Sequence, residues 1–159
     1  MAAPPDLTER LMAVGRLDLR PEHDTPALWR VALAIVLAIV VSLGADAALV
    51  ALGTHVFTST RGYVHFRFSD YAKLTVIGIL GAGAAWPVLA RLSSAPRWLY
   101  LRLAVLVTIV LLTPDLYIWH AGQPARAVAV LMCMHVAIGL ITYNLMVRLA
   151  PVRARSGRA

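Results

Sequence analysis

The sequence has one cysteine, Cys133, and one lysine, Lys73, among its 159 residues. A lone cysteine excludes an intramolecular disulfide and any redox chemistry that needs two thiols in one chain. Catalytic motifs are also lacking, because there is no nucleophile elbow, no HExxH segment and no glycine-rich phosphate loop followed by lysine. We therefore predict a protein that is not an enzyme and that holds no cofactor and no metal.

Charged residues are also scarce, at 14% of the chain, whereas 60% of the residues are hydrophobic. A soluble domain is nearer to half apolar and a quarter charged. The apolar residues lie in four runs, at about 29–56, 71–92, 98–116 and 125–150, each close to the ~20 residues that cross a bilayer. The sequence thus predicts an all-α integral membrane protein, with one domain at 29–150 folded as an up-down antiparallel four-helix bundle.

The net charge of +7 does not indicate nucleic acid as a partner. The basic residues flank the apolar runs or lie in the terminal segments, where they meet anionic headgroups, so the predicted partner is membrane lipid. One side of the predicted membrane domain carries 11 arginines and the other carries four basic residues. The larger group comprises Arg10, Arg16, Arg20, Arg30, Arg91, Arg97, Arg102, Arg148, Arg153, Arg155 and Arg158. By the positive-inside rule, both termini are expected in the cytoplasm and the protein in the cell membrane.

The segments outside the spans are short and mostly polar. Residues 1–28 form a cytoplasmic segment in which Leu7, Leu11 and Val14 share one side at helical spacing. That spacing is compatible with a short amphipathic helix or with a loosely ordered tail. Residues 151–159 are expected to form a basic, disordered tail.

Two loops are expected on the side opposite the termini. In the first loop, residues 63–68 alternate with a period of two, which suits a short strand or a segment with aromatic side chains at the lipid interface. The second, at residues 117–124, is aromatic and rich in turn formers.

Two segments in the last two spans, LLTPDL (111–116) and AVLMCMHVAIGL (129–140), resemble a family of small four-span membrane proteins from high-GC bacteria. The likeness rests on the proline-containing end of the third span and on the pair Met134 and His135 in the fourth. It implies the four-span architecture and draws attention to His135, although the family often has a neutral polar residue where this chain has Asp46. The family has no established activity, substrate or cofactor, so the resemblance implies no mechanism.

Three ionisable residues lie in or beside the apolar runs, where charges are costly and need a reason. Asp46 is about 22 Å along the first span and His135 about 15 Å into the fourth, at 1.5 Å per residue. Asp115 ends the third span, so all three are expected in the outer half of the membrane. They are candidates for binding a ligand or a proton, in a polar pocket that takes a proton, a cation or a headgroup. Alternatively, Asp46 and His135 bond each other and only hold the helices together, a contact worth about 0.6 kcal/mol.

Two further patterns concern helix packing and metal. Gly78 with Ala82, and Gly81 with Ala85, are small residues four apart that permit close helix packing, within one chain or between two. A metal site would require convergence of groups such as Asp115, His120, His55 and His65. No HxxxH or HxxE spacing supports that reading.

These observations predict a small membrane protein without catalytic activity that serves as an assembly module or binds lipid or a protein partner. A homo-oligomer or another membrane protein would be that partner. The alternative is an oligomeric transporter subunit coupled to protons or cations, with Asp46 and His135 as the titrating pair. A membrane enzyme using Asp/His acid-base chemistry is a third hypothesis.

Overall fold

The structure is a computed structural model that describes residues 6–15 and 23–154. The helices are α1 (Leu7–Gly15), α2 (Leu28–Val56), α3 (Phe68–Leu92), α4 (Pro96–His120) and α5 (Ala125–Leu149). Two short strands, β1 (His23–Asp24) and β2 (Arg153–Ala154), lie just outside the bundle, and 3-10 turns occupy Thr58–Thr60 and Val64–Phe66. Within the described residues, four helices, α2 to α5, are long and apolar enough to cross a membrane. The predicted all-α four-span architecture is confirmed.

The four long helices form an up-down bundle in which α2, the first, lies beside α5, the last. Contact between α2 and α5 is the most extensive of all helix pairs, and contact between α3 and α4 is the least extensive among adjacent helices. We call the end with the α2–α3 loop and the α4–α5 turn the loop end, and the opposite end the terminal end. The bundle is therefore tight on one side and loose on the other.

Helix α2 shows why this bundle forms. Its 29 residues contain no proline, and its buried positions recur every three to seven residues: Val31, Ala34, Ala38, Ser42, Asp46 and Gly53. These positions make one continuous stripe at helical spacing, and the rest of the helix is available to lipid. The stripe is built from small side chains, which let α2 approach its neighbours closely where lipid supplies no hydrophobic driving force.

An aromatic core closes the terminal end. Trp86 and Tyr100 are almost fully buried, with ring centroids 5.0 Å apart. The Trp86 indole Nε1 donates a hydrogen bond of 2.8 Å to the carbonyl of Ala150, just past the end of α5. Because Met146 packs in the same cluster, α3, α4 and α5 are joined at one level.

Helix α4 is longer than the sequence predicted. The predicted third span ends at residue 116 with a linker from 117, but the helix continues past Pro114 to His120. A proline inside a transmembrane helix removes one hydrogen bond and is tolerated when neighbouring helices support the segment. The helix ends at His120, and the chain turns at Gly122, whose φ of 91° lies in the left-handed region that glycine adopts without strain.

The α2–α3 loop contains no strand. Residues 64–66 form a 3-10 turn and Phe68 begins α3, so the strand interpretation of residues 63–68 is wrong. The loop folds on itself instead, with the Tyr63 ring in edge contact with His65 and Phe66. Alternation over six residues cannot distinguish a strand from a compact turn whose aromatic side chains face different neighbours.

The segments next to the bundle are more ordered than the tail prediction implied. Strand β1 pairs antiparallel with β2, with His23 opposite Ala154 and Asp24 opposite Arg153. The first part of the predicted 151–159 tail is therefore paired, and residues 155–159 lie outside the described residues. So do Arg16, Arg20, Arg155 and Arg158 of the charge count. Residues 7–15 form the short helix that was one of the two alternatives.

The close approach of α2 and α3 predicts the effect of a substitution at Gly83. A Cβ at Gly83 would lie 2.5 Å from Ile35 Cγ1, whereas a Cβ at Gly44 would meet no atom within 4 Å. We expect Gly83→Leu to lower the free energy of unfolding by about 1–3 kcal/mol through overpacking. Thermal unfolding in detergent measures this change.

Gly44→Leu is the matched control, because leucine has the same advantage over glycine in helix propensity at both positions. It should leave stability unchanged or raise it by up to about 0.8 kcal/mol. Equal effects of the two substitutions would contradict the α2–α3 contact.

Candidate ligand-binding site

An ion pair between α4 and α5 lies near the loop end of the bundle. His135 Nδ1 is 2.8 Å from Asp115 Oδ2, and the two side chains are 26% and 7% exposed. The structure thus selects Asp115 as the partner of His135 from the two carboxylates that the sequence allowed. Pro114 precedes Asp115 directly, and the continued helix turns this carboxylate inward rather than into an interfacial loop.

Asp46 has a different partner. It is fully buried on α2, and its Oδ2 accepts a hydrogen bond of 2.9 Å from the Thr75 hydroxyl on α3. Its second oxygen, Oδ1, is buried without a hydrogen-bond partner among the described residues. Asp46 is still near enough to His135 for an electrostatic interaction. The three predicted site residues therefore occupy one layer of the bundle, with Asp46 behind the Asp115–His135 pair.

A cavity of about 670 Å³ reaches this layer from between α3 and α4, with α5 as its back wall. Its polar groups are concentrated at the loop end, where His65, Asp70, Thr75, Asp115 and His135 line it. Most of the remaining wall is apolar. The apolar wall extends to Ala85, Tyr100 and Tyr143. Along α3, Ala85 is about 22 Å from Asp70 at 1.5 Å per residue. The cavity therefore has a polar mouth and a long apolar interior.

The cavity opens sideways because α3 and α4 hardly touch along it. Ile77 on α3 and Val107 on α4 both line the cavity and remain 65% and 45% exposed. In a membrane these edges face hydrocarbon, so the cavity is a cleft that lipid chains can reach directly. Tyr100 closes its terminal end, with its hydroxyl donating a hydrogen bond of 3.2 Å to the carbonyl of Ala82.

The small residues that predicted helix packing all line this cleft. Gly78, Gly81, Ala82 and Ala85 belong to its wall, and a Cβ at Gly78 or Gly81 would meet no atom within 4 Å. No helix of the described chain therefore packs on these two glycines, because α4 diverges from α3 there. The close helix contacts occur at Gly53, Gly83 and Gly139 instead. A packing role between two copies of the chain stays a prediction.

The α2–α3 loop approaches the mouth of the cleft. His65 lines the cleft and interacts electrostatically with Asp115. The hydroxyl of Tyr63 is buried, and burial, aided by the nearby Asp115 carboxylate, raises the pKa of this phenol above its usual value. The loop thus brings two titratable side chains to the same carboxylate.

Some residues of the site were not singled out by sequence reasoning. Thr75 and Thr142 each place a hydroxyl inside a span, a weak signal because threonine often bonds its own helix. Tyr100, which forms the closed end of the cleft, was recognisable only as one of several aromatic residues near a predicted interface. Their importance follows from the neighbouring helices, which the sequence of a single span does not specify.

The groups that a metal site would have required do not assemble. In the part of the chain that the structure describes, no three histidine, cysteine, aspartate or glutamate side chains form a group that could hold a metal ion. His120 lies exposed at the end of α4 and His55 exposed at the end of α2. The polar mouth can instead hydrogen-bond or pair with a headgroup, since it presents carboxylate and imidazole groups beside apolar walls.

Four membrane-length helices around a lateral cleft define a small multi-pass membrane protein. The chain belongs to DUF6069, a family of unknown function whose model matches residues 23–152. The match begins at β1, covers the whole bundle and ends at Val152. No match was found among curated proteins or among solved structures.

The Asp115–His135 pair predicts energetic coupling between α4 and α5. Asp115→Asn and His135→Gln should each lower the free energy of unfolding, because each leaves the other side chain of the pair, buried or half-buried, without the group that it contacts. The double variant should lose less than the sum, with a coupling of about 0.6–1.7 kcal/mol, the range of interhelical contacts in membranes. Thermal unfolding of the four proteins in one detergent gives this value, and additive losses would show that the pair is not coupled.

Tyr63 predicts a change at alkaline pH. Its raised pKa means that the folded protein holds the phenolic proton more tightly than the unfolded chain, whose pKa is about 10. The resulting stability is present below pH of about 10 and is lost as the pH rises through the higher folded value. The tyrosinate absorbance of the parent minus that of Tyr63→Phe should therefore appear above the usual range. Tyr117→Phe, which removes an exposed phenol, calibrates the signal.

Proposed function

We propose that this protein is a membrane protein without catalytic activity that binds one amphipathic, lipid-like molecule in the cleft between α3 and α4. The observation that carries the proposal is the cleft itself, with about 670 Å³ of space, apolar walls and polar groups at one end. Ligand sites commonly have about 300–1,000 Å³ and are mainly apolar with a few convergent polar groups.

The chemistry of the mouth favours a cationic or hydrogen-donating headgroup. Asp70 and Asp115 both line the cleft there, together with two histidines. Asp115 is nearly buried and already contacts His135, so a cationic headgroup beside it would share the carboxylate with that imidazole. A protonated amine satisfies such a carboxylate, whereas an anionic headgroup meets two like charges.

The shape of the cleft favours a ligand that arrives through the membrane. Its edges are exposed apolar side chains, and its length of about 22 Å along α3 suits an extended hydrocarbon chain lying against the helices. Water-soluble ligands would have to enter past the α2–α3 loop. A molecule dissolved in the bilayer reaches the same site laterally.

The orientation belongs to the same proposal. The excess of arginine at the terminal end supports cytoplasmic termini, which puts the mouth of the cleft in the outer leaflet of the cell membrane. Trp98 and Arg102 stack at that end, with the guanidinium carbon 3.5 Å from the ring centroid, as expected of residues anchored at headgroup level.

A transporter subunit coupled to protons or cations is the second candidate, and the burial of Asp46 favours it. The aromatic core at the terminal end opposes a path through one protomer, because Trp86 and Tyr100 close the bundle there. A transporter would therefore require a path formed by several copies.

The test is binding of single-chain amphiphiles that differ in headgroup alone: oleylamine, oleyl alcohol and oleate. Native mass spectrometry of the protein in detergent should show retention in that order, with oleylamine bound most tightly. Gly78→Leu and Gly81→Leu, whose added side chains start in open space in the cleft wall, should weaken oleylamine binding at least about tenfold, equivalent to 1.4 kcal/mol.

Gly44→Leu is the control, since it makes the same change on a lipid-facing surface of α2 away from the cleft. Equal binding by all three variants would overturn the proposal. Dimers that dissociate in Gly78→Leu and Gly81→Leu, without amphiphile binding, would instead identify the cleft as an interface between two copies.

A further inference from the structure

Three buried oxygen atoms of the bundle interior have neither a hydrogen-bond partner nor an ion-pair partner among the described residues. They are Ser42 Oγ and Asp46 Oδ1 on α2, and Thr142 Oγ1 on α5. Ser42 and Asp46 are 0% exposed and Thr142 is 5% exposed. An unsatisfied polar group in the hydrocarbon region costs several kcal/mol, so three of them in one bundle require a compensating partner.

The contacts between helices place these three residues at neighbouring levels of the bundle. Ser42 and Asp46 are four residues apart and thus share one face of α2. Gly53 faces Val130 toward the loop end, while Ile35 and Met146 meet beside Gly83 toward the terminal end. Because α2 and α5 are antiparallel, residues between these two contacts can be matched by their level along the bundle. This matching places Ser42 within about one turn of Thr142 along the bundle axis.

The charge of Asp46 is not balanced by an ion pair within the described residues. His135 pairs with Asp115, and Asp46 receives a neutral hydrogen bond from Thr75. That bond fixes Oδ2 and leaves Oδ1 directed elsewhere in the same interior. A carboxylate in this position attracts a cation from any compartment that can reach it.

We propose that Asp46, Ser42 and Thr142 form a binding site for one Na⁺ ion. Their oxygen atoms are hard donors, which suit alkali and alkaline-earth ions better than transition metals. One carboxylate balances one positive charge, whereas a divalent ion would leave an excess charge inside the membrane. The site is separate from the headgroup-binding mouth and goes beyond the proposed function.

The cleft supplies a route for the ion. Thr75 and Thr142 both line the cleft, and the Thr75 hydroxyl also donates its hydrogen bond to Asp46 Oδ2. An ion that enters the mouth would therefore reach the carboxylate past the Thr75 side chain. The same route admits protons, which compete with Na⁺ for the carboxylate.

The test compares the midpoint of thermal unfolding, Tm, of the full-length protein in detergent in NaCl, KCl and N-methylglucamine chloride at constant ionic strength. Na⁺ should raise the Tm of the parent by about 3–5 °C when its concentration is about tenfold above Kd. The KCl series shows whether the response is specific to Na⁺ or common to alkali cations. Asp46→Asn should abolish the response to Na⁺.

Ser42→Ala and Thr142→Val test the site without removing the buried carboxylate, so that a folding defect of Asp46→Asn is not mistaken for loss of Na⁺ binding. Each removes an unsatisfied oxygen, so each should be at least as stable as the parent in N-methylglucamine and should need at least about tenfold more Na⁺ for the same rise in Tm. Thr113→Val, at an exposed position of α4, is the matched control and should respond to Na⁺ as the parent does.

The measurements are repeated at several pH values, because titratable groups on each neighbouring helix face Asp46. Tyr71 on α3 and His135 on α5 interact with it electrostatically, and Asp115 on α4 is paired with that histidine. The Na⁺ response should weaken in acid as protons occupy the carboxylate. A Tm that changes with pH but is the same with and without Na⁺ would overturn the proposal and indicate a proton site instead.

Equal Tm values in all three salts would also overturn it, as would identical behaviour of Thr142→Val and Thr113→Val. No amphiphile enters these experiments, so their failure leaves the function of the cleft untouched. Conversely, loss of oleylamine binding would not affect the sodium site.

Discussion

Hydrocarbon offers no hydrogen-bond partner, and this constraint explains where the main interhelical polar contacts of the bundle lie. Asp46 is buried against Thr75, Asp115 against His135, and the Trp86 indole against the carbonyl of Ala150. Each contact joins two different helices or a helix to the segment that follows another. The polar groups are few, but they fix which faces of the apolar helices meet, because lipid gives the apolar faces no preference of their own.

The two ends of the bundle use this constraint differently. At the terminal end, large aromatic side chains fill the interior and bond to backbone carbonyls, which leaves little free space around Trp86 and Tyr100. At the loop end, the interior is occupied by ionisable groups beside an open cleft. The packed aromatic residues and the ionisable residues thus lie at opposite ends of the bundle. The aromatic end fixes the relative positions of the helices, and the loop end carries the polar groups of the cleft.

The sequence was sufficient for the helices and insufficient for their neighbours. Apolar runs of membrane length located all four spans, because a run of that length has few other uses. The end of α4 was missed, because the aromatic residues after 116 were assigned to an interfacial turn, whereas they form the last turn of the helix. The sequence pattern paired His135 with Asp46, whereas the structure pairs it with Asp115, since the rotation of each helix depends on packing that no single span encodes. Gly78 and Gly81 had the pattern of a helix contact but form an empty part of the cleft wall.

The pairing of His23–Asp24 with Arg153–Ala154 gives the domain a further property. It brings the start and the end of the bundle together, and α2 and α5 have the broadest contact although no loop connects them. The chain is therefore almost a closed ring, in which the connection is covalent at three junctions and hydrogen-bonded at the fourth. The weakest lateral contact, between α3 and α4, lies at a junction closed by a short turn at residues 93–95. A circular permutant that opened this turn and joined residues 24 and 153 would keep every pair of neighbouring helices. Without the turn, α3 and α4 would no longer be linked beside the cleft, and the cleft would be free to widen.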